Sequence, residues 1–169
     1  MIEVSRVMPV PPERVWDVLA DGWTYAGWVV GNAHVRDVDD TWPAEGSGLH
    51  HKAGVWPVQV PDVSTVVAVA PGRMVELEAR LWVVGRGRVR IELDAVGADS
   101  TRVTLGERAV SGPASLLPSS VQKLLLHPRN VEALARLQDM AVGRAHRAHG
   151  TRDSRDGGGN GGRGTGTPE

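Results

Sequence analysis

The stretch VSRVMPVPPERVWDVLADG, residues 4–22, changes character halfway along, and that change sets the start of the fold. Residues 2–8 read as a first strand. Pro12 then stands near the first position of a short helix, where a missing N–H costs little, and Gly22 supplies the stop. Val15, Val18 and Leu19 give that helix one apolar face. The following WTYAGWVV, residues 23–30, reads as a further helical turn or two that ends at Gly31.

From Asn32 the punctuation becomes that of hairpins. Segments 33–38, 48–55, 63–70, 74–82, 88–96 and 102–110 are strand candidates, separated by WPAEGSG, WPVQVPD, APGR, VGRG and VGADS. Each connection carries Gly, Pro or Asp at turn positions, and Pro71-Gly72 suits a tight turn with positive φ at the glycine. VWPVQVPD, residues 55–62, with two prolines and alternating valines, reads as an edge or gate loop. Seven strands in meander order imply an antiparallel sheet.

After SGP, residues 111–113, a helical run punctuated by Pro118 and Pro128 is expected to end near His149. At 100° per residue, Asn130, Leu134, Leu137, Ala141 and Ala145 share one apolar arc, with Arg129, Glu132, Arg136 and Asp139 opposite. One apolar helix face cannot cover the concave side of a strongly bent seven-stranded sheet. An apolar cavity between them follows.

Composition narrows the function. With 169 residues the chain is long enough for one domain with a real core. Its formal net charge of −1 leaves no electrostatic footprint for nucleic acid. The absence of cysteine rules out disulfides, thiolate nucleophiles and Cys-ligated zinc. MIEVSRVM has neither the basic nor the apolar region of a signal peptide, and no apolar run reaches the ~18 residues of a membrane span. A cytoplasmic protein without an integral membrane segment is expected. Residues 1–148 read as the domain. Residues 149–169, Gly-rich with balanced charges, cannot offset their ordering entropy by burial and read as a disordered tail. Their glycines follow no strand and precede no helix, so they are not a phosphate loop, and no cofactor motif occurs elsewhere. No residue pattern specifies an oligomeric state.

Several segments resemble a known group. VSRVMPVPPERVWDVLAD has the strand, Pro-x-x-x-Val-Trp and short helix of the START-related SRPBCC superfamily, which includes the polyketide cyclase/dehydrase group. WVVGNAHVRDVD, WPAEGSGLHH, ELEARLW and RNVEALARLQDM are similar to its uncharacterised bacterial branch, so the likeness covers about residues 2–145. The resemblance implies an α+β helix-grip fold. In it a seven-stranded antiparallel sheet curves around a long C-terminal helix, and two short helices follow the first strand. It also implies a small hydrophobic ligand, lipid- or polyketide-like; members of the group range from carriers to cyclases.

Strand parity selects the residues that face such a cavity. His50 and His51 are adjacent, so they point to opposite faces and cannot share a metal unless a bulge intervenes. Facing His50 inward would bury Lys52 as well, at a cost of several kcal/mol, so His51 faces the cavity. On the last strand Val103, Leu105, Glu107 and Ala109 face in. Leu77 and Ile91 do so on 74–82 and 88–96, whose outward charges are expected to pair across strands. Asn130, Leu134 and Leu137 face it from the helix, and Trp28 and Trp56 stand at its rim, with Trp82 less favoured by parity. His146 and His149 are expected to meet the helix dipole at its C-terminal end rather than a metal.

Two functions fit this inventory, and a regulatory module with an unused pocket is a third. The first is a binder of a small hydrophobic molecule, with Trp28, His51, Trp56, Leu77, Ile91, Leu105, Glu107, Asn130, Leu134 and Leu137 around the ligand. The second is a polyketide cyclase, aromatase or dehydratase. His51 or Glu107 would then remove an acidic C–H proton and the other would orient it. Neither needs a metal or cofactor.

Overall fold

Seven antiparallel strands pair in the order β1-β7-β6-β5-β4-β3-β2: β2 to β7 follow one another in hairpins, and the first strand pairs with the last. The computed structural model describes residues 1–55, 58–81 and 85–156. The strands are β1 (Ile2–Met8), β2 (Asn32–Val38), β3 (Gly48–Val55), β4 (Val58–Ala70), β5 (Met74–Leu81), β6 (Gly85–Gly97) and β7 (Ser100–Ser111). Between β1 and β2 lie α1 (Pro12–Leu19), a 3-10 turn at Gly22–Thr24 and α2 (Tyr25–Trp28). The long C-terminal helix α3 spans Ser119–Asp156. This is the helix-grip fold.

The local rules act as the sequence dictates. Pro11 precedes α1 in an extended conformation, Pro12 opens the helix, and Val15, Val18 and Leu19 are buried. Asp21 then caps the 3-10 turn by accepting from the Trp23 N–H. Gly22 is needed for close approach, because a Cβ there would lie 2.7 Å from a Val38 methyl and 3.2 Å from Leu49. At Ala70–Arg73, Gly72 takes φ +75° and the Arg73 N–H donates to the Ala70 carbonyl at 2.9 Å.

Side-chain alternation gives the sheet two unlike faces. Outward, Glu76 and Glu78 on β5 meet Arg86, Arg88 and Arg90 on β6 in a ladder of ion pairs. Each contributes little in water, about 0–1 kcal/mol. Inward, Val75, Leu77, Ile91, Leu93, Val103 and Leu105 join Met8, Val15, Val18 and Leu19 in one apolar core. Leu134, Leu137 and Ala141 of α3 belong to it too.

Polar ties fix how α3 lies. Arg6 of β1 donates to Gln138 at 2.7 Å, and Arg144 donates to the Asp17 carbonyl at 2.7 Å and to Asp21. The C-terminal half of α3 therefore rests on β1 and α1. Its N-terminal half lies nearer the open part of the sheet.

Three expectations change here. Residues 58–62 are not a gate loop: Val58 pairs with Val55 and the pairing runs unbroken to Gly48–Thr65, with Pro61 opposite Lys52. The helix passes Pro128 and His149 and ends at Asp156, so His146 is an exposed mid-helix residue and neither histidine caps the helix. It also crosses the domain boundary expected at 148, so residues 149–156 are helical rather than a disordered tail. The expected tail beyond, residues 157–169, lies outside the described residues, as do Trp56 and Trp82. Among the described residues no helix is long and apolar enough to cross a membrane.

Candidate functional site

The register of the sheet places a row of small side chains across its concave face. Ser64 on β4 pairs with Ala79 on β5, Ala79 with Gly87 on β6, and Gly87 with Ala109 on β7. In the adjoining row the larger Leu77 pairs with Val89, and Val89 with Glu107. The depression over the small row is not filled by the sheet. Tyr25 and Trp28 of α2, Val29–Gly31 and the helical Arg129, Asn130 and Ala133 stand over it, bounding a partly open cavity of about 170 Å³.

His51 reaches this cavity from β3, beside Asp62 in the register. The bulges that could have reversed its direction lie in the β2–β3 pairing, between Asn32 and His34 and between Val35 and Asp37; the β3–β4 pairing is continuous. His51 is therefore buried, with Nε2 2.9 Å from Ser64 Oγ, while His50 turns outward to Asp39 at 3.2 Å. Among the described residues no group of three metal-ligating side chains occurs. Burial lowers the His51 pKa from its ordinary 6.5; the Asp62 charge opposes that shift and the His50 charge adds to it.

This direction has a consequence for stability. The unfolded chain binds a proton at His51 more readily than the folded one, so stability falls as pH drops below about 6.5 and levels off below the folded value. His51→Gln is expected to flatten that limb, read as the urea midpoint between about pH 7.5 and about pH 5. An unchanged slope would contradict the assignment. Asp39 is not a confounder. The Gly48 N–H and then His50 hold its carboxyl below 3.8, so its contribution is lost only at still lower pH.

Glu107, 4% exposed, sits on the opposite side of the curved sheet, with β4, β5 and β6 between its strand and that of His51. Arg129 Nη2 lies 3.1 Å from each of its carboxylate oxygens. The expectation that one of His51 and Glu107 orients the other is therefore corrected: Ser64 orients the first and Arg129 the second. Tyr25 is buried too, and its hydroxyl donates to the Leu19 carbonyl at 3.1 Å. Burial pushes the phenol far above its ordinary pKa. Its ring packs on Trp28, centroids 4.8 Å apart, so it supports the indole.

Of the residues expected around a ligand, Trp28, His51, Leu77, Leu105, Glu107 and Asn130 line the cavity. Ile91, Leu134 and Leu137 do not; all three are buried in the core beside it. Trp56 lies outside the described residues. Three polar residues of the wall were not expected. Asp62 and Ser64 share the inward parity of Val66; for Asp62 that signal was hidden by reading 55–62 as a loop, whereas Ser64 lay within the strand expected at 63–70. Arg129 was placed on the solvent arc, yet its long side chain bends back over the helix to Glu107.

Comparison with known proteins agrees with this architecture. The family model described as polyketide cyclase / dehydrase and lipid transport matches residues 1–141. No curated protein matches the chain. Among solved structures, a conserved protein from Geobacillus kaustophilus has a TM-score of 0.66 at 11% identity, covering 83% of this chain and 93% of that one. The Zhui aromatase/cyclase from Streptomyces sp. R1128 has a TM-score of 0.64 at 17% identity, covering 85% and 94%. Ara h 8.0201 has 0.62 at 13%, covering 83% and 96%. At these identities the likeness is one of fold.

Proposed function

This chain belongs to the polyketide cyclase/dehydrase and lipid transport family, and from that premise we propose that it binds a small hydrophobic molecule between the sheet and α3. The observation that carries the reading is the cavity itself, about 170 Å³ and walled mainly by Leu, Val, Ala and aromatic side chains. A dry apolar cavity of roughly 150 Å³ admits benzene. This one suits a single ring or a short chain, so a larger lipid- or polyketide-like molecule would be held by one end.

A second reading, that of a cyclase, aromatase or dehydratase, has one specific support. A buried imidazole oriented by Ser64, with its pKa lowered, stays unprotonated at neutral pH and is available as a base. Glu107, both oxygens engaged by Arg129, serves that reading as a fixed charge rather than as the base.

One experiment with two arms addresses both. Toluene is expected to bind the wild-type protein in a one-to-one ratio by NMR titration. Ala79→Leu, which fills the small row from within, is expected to weaken it about tenfold or more. No toluene binding by the wild type overturns the binder. For the second reading, His51→Gln must remove turnover of a carbonyl substrate while toluene still binds; retained turnover overturns His51 as the base.

A further inference from the structure

The leucines that stand exposed among the described residues, Leu116, Leu117, Leu124 and Leu125, all lie where the chain enters α3. Leu116 is 85%, Leu124 74% and Leu125 61% exposed. A leucine exposed singly is ordinary, but a contiguous apolar patch marks a surface that something covers. Along the helix Val121, Leu124, Leu125 and Pro128 stand at i, i+3, i+4 and i+7, and Val131 is three further on. At 100° per residue they share an arc of about 120°, on the side away from the buried Asn130 and Ala133. Beyond Val131 the same arc turns polar, with Glu132, Arg136 and Asp139 exposed. The outward apolar face therefore belongs to the first turns of α3 alone.

The charges around this face select its partner. No Asp or Glu occurs between Glu107 and Glu132, whereas Lys123 and His127 stand exposed on one flank of the arc and Arg129 lies on the other. Arg129 is engaged by Glu107, which leaves Lys123 to meet a partner. A second copy of the face brings it no counter-charge, because Glu132, the nearest acidic residue along the helix, is already paired with Arg136 at 2.8 Å. The sequence beyond Asp156 cannot cover it either: GGGNGGRGTGTPE carries no apolar side chain besides Pro168. A bilayer with anionic headgroups meets both needs. An amphipathic helix lies in its interface with the apolar side at the acyl boundary and basic side chains at the phosphates.

We propose that the first turns of α3 dock on an anionic membrane surface, with Leu124 and Leu125 inserted and Lys123 at the headgroups. The contact is peripheral, and it is independent of what the cavity holds.

The test is co-sedimentation of the full chain with vesicles of phosphatidylcholine alone and of phosphatidylcholine mixed with phosphatidylglycerol. The mixed vesicles are expected to retain the protein, and the neutral ones to hold it severalfold less. Leu124→Glu and Leu125→Glu are each expected to weaken binding about tenfold or more, and Lys123→Gln about fivefold. Because these side chains are exposed, the variants are expected to keep the wild-type circular dichroism and urea midpoint.

Failure to bind either vesicle overturns the proposal, and so does binding that both leucine variants leave intact. Equal binding to the two vesicles overturns the anionic surface. A lowered urea midpoint in the leucine variants places those side chains in the protein's own packing and overturns their docking role. A dimer in lipid-free sedimentation equilibrium that Leu124→Glu dissociates overturns it too, because a second copy then covers the face.

Discussion

Leu137→Ala is expected to lower folding stability by about 2–5 kcal/mol, and Leu137→Asp to leave no folded protein. The side chain is wholly buried and belongs to the core that α3 shares with β1 and α1. Truncation removes its apolar burial and leaves a void that close packing fills only in part. Aspartate adds the cost of an uncompensated polar group, and the sum rivals the whole stability of a domain, about 5–15 kcal/mol. Urea unfolding of the alanine variant and circular dichroism of the aspartate variant check this. A Leu137→Asp protein that kept its sheet and merely lost a ligand would place Leu137 on the cavity wall instead.

The contrast between Leu137 and Asn130 shows how far the sequence could be read. Both lie on the same helical arc, so periodicity alone assigns them the same surroundings. What separates them is where along its length the helix lies over β1 and α1, and where it roofs the open sheet. That is set by ties such as Arg6–Gln138 and Arg144–Asp21, which join residues more than a hundred positions apart. Strand parity was more informative, since alternation is local. It placed His51, Leu77, Leu105 and Glu107 inward, because the register shifts at β2, at Val66–Ala68 and at the two ends of β6 leave the pairing around these four residues continuous. It could not place the cavity along the strands. That depends on Ser64, Ala79 and Gly87 aligning in register, and register is a pairing property rather than a property of any one strand. Ile91 illustrates the point: its parity is inward and it pairs with Leu105 of the wall, yet it is packed in the core and does not line the space. Arg129 was missed for another reason. A helical wheel locates the Cα, whereas the guanidinium sits several bonds further on.

Arg129→Met is expected to destabilise the protein by about 3 kcal/mol, and Glu107→Gln by about 1 kcal/mol or less. The two ends of the pair differ in their access to water. The Glu107 side chain is 5% exposed, whereas that of Arg129 is 31% exposed. Removing the guanidinium strands a carboxylate on the floor of an apolar cavity, and breaking a buried pair from one side is costly for that reason. Removing the carboxylate leaves a guanidinium on a flexible stem that can swing outward and be hydrated. In the double variant no charge is stranded, so most of the Arg129→Met loss is expected to be recovered, a coupling that urea unfolding of the four proteins measures. If the pair were an ordinary surface bridge, both single changes would cost alike, about 0–1 kcal/mol, with no coupling. Equal small losses would therefore show that water reaches Glu107. The fixed-charge role given to Glu107 here would then lose its basis.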